Sequence, residues 1–455
     1  MTEEQSILQQ TWLQKERLNL EPRKDYSPKR QYLHFDKRIT SIDSEVLKKV
    51  WNPKAVASHS FYPFLRAVKS AYLYKRIPGT RKRGLFKKNR PIDYSAHMDA
   101  LILSWYASIL SELYEQKVRE FDVSKNAIAY RKLDGKNNID FAKEVFDFVG
   151  SHPDFVAIAF DVEKFFENID HKLLKTLWKE LLKVGELPED HYAVFKEISS
   201  FRYVDIKQMH KLFDFTFKDQ GRLDRICSTR DFRNKVCDGG FLKKNPRVNQ
   251  KTGNSVGIPQ GSPISCVISN LYMLPFDAVV AKRIQDLGGM YRRYSDDIII
   301  VVPREKADEC NSFVQKEVGN IGLNINDSKT EKVKFLNEGG HIVARDWSEN
   351  AIAKLQYLGV EFDGENTRLR HAGLGRFQRR RVRSVRRLYN WSKHNKKPIP
   401  IEPLIKKYTR KGGNNYLSYA DTSKTKLNSK LIGKQTFEPR VVKQLKKLLP
   451  NKKHP

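Results

Sequence analysis

Two short apolar runs constrain this chain most, because each carries acid at one end. "FVAIAFD" (155–161) finishes on Asp161, and "YSDDIIIVVP" (294–303) sets Asp296 and Asp297 ahead of Ile298, Ile299, Ile300, Val301 and Val302. Such runs predict short strands buried inside a sheet. A carboxylate beside them is costly unless it protonates or meets a positive partner. A lone Asp-Asp pair is most often a turn, so its meaning depends on what accompanies it. Strand and helix alternate between the two runs, which places both strands naturally in one sheet with their acids at one rim. Three carboxylates gathered there repel one another unless divalent cations compensate them. Hard oxygen donors suit two Mg²⁺ ions, with Mn²⁺ as a substitute, and such a pair suits in-line phosphoryl displacement.

Charge points the same way. The 455 residues hold 85 Lys+Arg against 53 Asp+Glu, a formal net charge of +32. That excess favours a polyanionic partner, nucleic acid before membrane. Hydrophobic content of 39% with 11% aromatics supports a packed core rather than disorder, and the length predicts two or three subdomains. Cys227, Cys237, Cys266 and Cys310 show no close pairing, which predicts free thiols in a reducing compartment. No apolar run approaches the ~18 residues of a membrane span, and the N-terminus lacks a signal pattern. A cytoplasmic protein with no membrane contact is the expectation.

Along the chain, residues 1–60 predict helical pieces, and 76–92 a basic hairpin or loop. Helices are predicted over 97–118 and 139–150, and after Asp170, whose carboxylate can cap "HKLLKTLWKELLK". Residues 201–252 read as an irregular basic insertion. Residues 255–284 start as a Gly/Pro loop and become a helix. A helix over 306–322, a strand at "LNIN" (323–326) and a strand or hairpin at 354–362 follow. From 366 to 401 there are twelve Lys/Arg and no acid. Phe377, Val382, Val385, Leu388 and Tyr389 give that segment roughly one apolar helical face.

In order, "RPIDYSAHMDALI", "FDVEKFFENID", "GIPQGSPIS", "YSDD", "GLNINDSKT" and "LQYLGVEF" resemble the fingers motif and motifs A to E of bacterial reverse transcriptases, over roughly residues 75–390. The resemblance implies an α/β right-hand polymerase fold with fingers, palm and a helical thumb. Its parts would be an N-terminal helical extension (1–74), fingers (75–153), palm (154–200 and 255–365), an insertion (201–254), and a basic thumb with a C-terminal tail (366–455). It implies Asp161, Asp296 and Asp297 as metal-binding acids, with the Val162 carbonyl completing one metal's shell. Phe166 would be the steric gate against a 2′-hydroxyl, an apolar wall that leaves that hydroxyl crowded and unpaired. Ordinary core is the bland alternative for Phe166, a role that suits its neighbour Phe165 better. Arg90 would grip the triphosphate, assisted by Lys87 or Lys88, and Gln260 and Gly261 would sit against the nucleotide. Gly257 and Gly261 would let backbone approach template and nucleotide closely. Lys329 would protonate pyrophosphate or else be a solvated lysine. Arg131, Tyr294, Gly359, Arg376, Arg379, Arg380 and Arg383 would contact nucleic acid, the last four as thumb contacts to phosphates.

Departures from the pattern narrow the type. The chain lacks the VTG signature of retron enzymes and the nuclease tail of many group II intron proteins. The interval from Asp161 to Gln260 is longer than usual. A "RLRHAGLGRFQRRRVR" thumb looks most like the defence-associated, abortive-infection group. By resemblance this implies phage defence through cDNA made from dNTPs on a non-coding RNA template, and homo-oligomers are an expectation from the same group. The alternatives are a group II intron or retron-like retroelement enzyme, or a silent RNA-binding scaffold.

Overall fold

The computed structural model describes residues 3–20, 32–76, 83–216, 223–245, 247–250, 252–398, 401–413 and 415–435. The tip of the basic 76–92 hairpin, parts of the 201–254 stretch and the end of the C-terminal tail therefore lie outside the described residues. Contacts divide the chain into two units whose segments alternate in sequence. One comprises Met1–Tyr130, Val162–Val279 and Gln315–Ile325; the other comprises Arg131–Asp161, Val280–Val314 and Asn326–Pro455.

In the first unit the helix His97–Glu120 is the central post. Trp12 meets its Trp105 edge-on at 5.7 Å and Trp51 meets it tilted at 6.0 Å, and the Trp12 indole donates to Ser104 Oγ at 3.2 Å. The helix His171–Leu182 starts where expected, because the Asp170 carboxylate accepts from the amides of Lys172 and Leu173 and so satisfies otherwise orphaned donors. The basic segment is a long antiparallel hairpin, Phe64–Arg76 against Arg83–Tyr94.

Residues 201–252, expected to be irregular, are built into this unit. The strand Arg202–Asp205 runs parallel to the start of the hairpin and pairs antiparallel with Lys243–Lys244. Val204, Met209, Phe215, Ile226 and Val236 bury against Leu33, Phe35 and Leu65. The apolar residues that do this are scattered without period, so periodicity could not reveal them. "LNIN" is not a strand either; only Ile325 forms an isolated antiparallel bridge, with Val162.

Glu197, on the helix Glu189–Ser199, is pushed up to about 9 by burial and the nearby Asp99 carboxylate, partly offset by Arg202. Asp99 is itself buried and bonded to the His59 ring at 2.7 Å and the Tyr62 amide at 2.9 Å. The folded chain thus keeps a proton that the unfolded chain releases near the ordinary glutamate value of 4.5. Stability must therefore fall as pH rises through that window. Glu197→Gln should melt above the parent at pH 8, by about 3 °C or more, with the gap closing near pH 4. Equal melting at pH 8 would remove this assignment.

The second unit is organised by a five-stranded, all-antiparallel sheet. Its order is Met290–Tyr294, Asp297–Pro303, Phe155–Asp161, Glu331–Glu338 and His341–Asp346. Ala157, Ile299, Val301, Val333 and Phe335 face the helix Asn138–Ser151 through Ala142, Val145 and Phe146. Alternate residues Val156, Ile158, Ile298 and Ile300 are buried equally. Both faces are covered, so these strands read as unbroken apolar runs, and each fully buried aliphatic side chain contributes roughly 1.5–3 kcal/mol.

"LQYLGVEF" is a tight hairpin, Leu355–Tyr357 against Val360–Phe362. Its two loop residues, Leu358 and Gly359, have φ of +46° and +90°, the hand that matches strand twist in two-residue turns. The basic segment forms the helix His371–Asn395. Phe377, Val385 and Leu388 pack with Leu404 and Tyr408. Arg381 joins that buried face, an exception the charge pattern did not signal.

Candidate active site

The sheet of the second unit brings the acids together. Asp161 ends its strand directly opposite Asp297, the first residue of the neighbouring strand. Opposed residues of an antiparallel pair project to the same face. The sequence predicts a strand that begins at both acids, whereas the strand begins at Asp297. Tyr294 pairs with Asp297, leaving Ser295 and Asp296 as a two-residue turn. Ser295 has φ of +61°, the left-handed region that so tight a reversal demands. Asp296 is thereby presented at the loop, beside the other two acids.

The carboxylates feel one another. The packed protein around Asp297 and the negative charges of Asp296 and Asp161 push it up to about 6, partly countered by Lys329 and Arg370. Lys329 lies in the turn Asp327–Lys329. The Asn326 amide donates to the Asp161 carbonyl at 2.8 Å, and this tie brings the Lys329 ammonium onto the Asp161 carboxylate as an ion pair. A protein cation thus already balances one of the three acids.

Among the described residues no group of three His, Cys, Asp or Glu side chains forms a ready metal cage. The donor set still fits Mg²⁺, which binds through one or two carboxylates and completes its shell with water and substrate phosphates. Beyond desolvation, Asp296 and Asp161 add to the rise at Asp297, and that share is negative charge of the kind a divalent cation relieves.

Beside Asp297 opens a cavity of about 340 Å³ lined by Tyr294, Tyr357, Gly359 and Arg370 among others. Tyr294 and Gly359 were singled out from sequence; Tyr357 and Arg370 were not. The Arg370 amide donates to the Gly359 carbonyl at 3.0 Å, a tertiary tie with no local signature. Arg131 is half-buried in the same unit. Arg376, Arg379, Arg380 and Arg383 are all exposed on one helix, and their three- and four-residue spacing puts them on one face, opposite Phe377 and Val385.

The remaining candidates belong to the first unit. Phe165 is buried while Phe166 is half-buried in the short helix Phe165–Asn168. The Phe166 carbonyl accepts from the Ile258 amide at 2.9 Å, and the Gln260 carbonyl accepts from the Asp93 amide at 2.8 Å. These bonds tie the Phe166 turn, the 257–261 loop and the Arg90-bearing strand into one backbone network. Arg90, Lys87 and Lys88 are exposed on that strand.

Gly257 and Gly261 have φ of +97° and +116°. A Cβ would lie 2.9 Å from the Glu167 carbonyl in the first case and 3.1 Å from the Asp93 carbonyl in the second. The close approach these glycines permit is to this chain's own backbone. Val162 is buried in its bridge to Ile325.

Residues 201–362 match the family model described as "Reverse transcriptase (RNA-dependent DNA polymerase)". That region therefore matches a reverse transcriptase domain, a nucleotidyltransferase family, and the mixed helix and strand content fits an α/β polymerase fold. The match contains Asp296, Asp297, Gln260, Gly261 and Lys329 and begins after Asp161.

Among solved structures, the chain is similar to apo telomerase from Candida tropicalis truncated from its C-terminal domain, at 11% identity and TM-score 0.38, covering 65% of this chain and 53% of that one. Apo telomerase from Candida tropicalis matches at 12% and 0.36, covering 73% and 55%. Telomerase from Candida albicans in complex with a fragment of telomeric RNA matches at 11% and 0.38, covering 86% and 62%. The chain thus spans a little over half of these proteins, and likeness at this level carries no functional argument. No described helix is long and apolar enough to cross a membrane.

Proposed function

We propose that the protein is an RNA-directed DNA polymerase that joins dNTPs to a primer 3′-hydroxyl on an RNA template, with pyrophosphate leaving. The observation that carries this reading is the register of Asp161 opposite Asp297, with Asp296 in the adjoining turn. Asp161, Asp296 and Asp297, with the Val162 carbonyl, would hold two Mg²⁺ ions. Bound there, the metals supply charge stabilisation at the attacking and leaving oxygens.

The rest falls to side chains. Arg90 clamps the triphosphate through paired donors. Gln260 and Gly261 hold the nucleotide, and Lys329 moves from Asp161 to protonate the leaving group. Arg131, Tyr294 and Gly359 position template and primer. The exposed arginine face of His371–Asn395 rides the duplex as a thumb, the hairpin region serves as fingers and the five-stranded sheet as palm. Primer extension on an RNA template with dNTPs, in the presence and absence of Mg²⁺, tests this directly; no metal-dependent product would end it. The ion pair on Asp161 also suits a silent RNA-binding scaffold, which that same blank result would favour.

The resemblance of the thumb segment to defence-associated enzymes supports a role in phage defence, with cDNA copied from a non-coding RNA by a cytoplasmic, self-associating protein. Sequencing the RNA and DNA that co-purify from cells checks this. One dominant small RNA with its complementary DNA is the expected result, and a self-spliced intron RNA would favour the retroelement alternative.

Phe166 as the gate against ribose makes a separate prediction. Phe166→Ala should reduce discrimination between dNTP and NTP by about 10–100-fold, the range one steric contact provides. Unchanged discrimination in single-nucleotide kinetics would place Phe166 in ordinary packing.

A further inference from the structure

A cavity of about 640 Å³ in the first unit is used by none of the chemistry above. Its size falls within the roughly 300–1,000 Å³ of small-molecule sites. Arg202 and Lys244 both line it, and they lie directly opposite each other on paired strands. Like charges in that register repel, and neither makes an ion pair with a described carboxylate. Glu197 is the one acidic side chain in the lining, and burial keeps it protonated well above neutral pH. Among the described residues, neither cation is ion-paired to a carboxylate.

Phe61 and Phe232 contribute aromatic surface to the same lining. Two polar groups there suit a heterocycle. Protonated Glu197 offers both a donor and an acceptor. His171, kept neutral by burial, donates from Nε2 to the Gly257 carbonyl at 2.8 Å, so its Nδ1 remains an acceptor.

We propose that this cavity binds a nucleoside 5′-phosphate unit, with its phosphate between Arg202 and Lys244 and its base among Phe61, Phe232, Glu197 and His171. Anion, aromatic face and mixed donor–acceptor edge are needed together, a combination that inorganic phosphate or an apolar ligand would not use. The unit comes either from a free nucleotide or from one residue of a single-stranded RNA, where bases stack on aromatic side chains. The site does not depend on the polymerase reading.

The test is photolabelling of the full chain by 8-azido-AMP and, separately, by a short single-stranded RNA carrying one 8-azidoadenosine, with the labelled peptides mapped. Label within 57–63 or 229–245, displaced by AMP but not by equal phosphate, is expected from at least one probe, and the productive probe names the source. An Arg202→Ala, Lys244→Ala double variant should lose labelling by about 10-fold or more. Both side chains are exposed, and its melting temperature verifies the fold. Absence of label from these segments, equal displacement by phosphate, or full labelling of a folded double variant would overturn the proposal. No step measures DNA synthesis, so a failed polymerase assay leaves this result standing and the reverse also holds.

Discussion

Asp296→Ala should lower primer extension by about 10³-fold or more while leaving the fold intact. On the proposed reading Asp296 shares the metal ions, whose stabilisation of transferring charge is worth several kcal/mol, and each 1.36 kcal/mol is tenfold in rate. The fold should not notice, because the carboxylate sits in the Ser295–Asp296 turn and its loss relieves repulsion on Asp297. Steady-state extension with circular dichroism and melting on the same preparation checks both halves. A folded variant with full activity would refute the metal assignment, and a variant that fails to fold would refute the claim that Asp296 is structurally idle.

A quadruple change, Arg376, Arg379, Arg380 and Arg383 each to Gln, should weaken binding of an RNA–DNA duplex on the order of 10²–10³-fold near physiological salt. Phosphate contacts release counterions, so log affinity falls with log salt by about 0.9 per contact in a duplex; the variant's slope should be shallower by about 3–4. The change should be equal for unrelated sequences, since phosphate contacts carry no sequence information. Glutamine preserves helix propensity, and the buried face built on Phe377, Val385 and Leu388 is untouched. Binding isotherms at several salt concentrations decide it. An unchanged salt slope would move the nucleic-acid path elsewhere.

Much of the candidate site was legible in sequence because its signals are short-range. The apolar runs announced the Asp161 and Asp297 strands, the Asp170 cap announced its helix, and "LQYLGVEF" announced a hairpin. The 201–252 stretch was misjudged as irregular because its buried residues satisfy partners as distant as Leu33 and Leu65, with no local period to betray them. "LNIN" looked like a strand, yet only Ile325 finds a partner; strand propensity needs a neighbour to become a strand. Arg381 is one of the twelve Lys/Arg of 366–401, yet its helical phase puts it with the buried residues.

By itself the sequence determined which segments are buried strands, which carboxylates end them, and that so positive a chain seeks an anionic partner, because these depend on residue type and spacing within a few positions. The tertiary structure alone decided that Asp161 lies in register with Asp297, that Lys329 folds back onto Asp161, and that Arg202 and Lys244 lie side by side on paired strands in the lining of a cavity that also holds Glu197. Register and solvation are set by segments far apart in the chain, and no local pattern encodes which distant group will share a carboxylate's field.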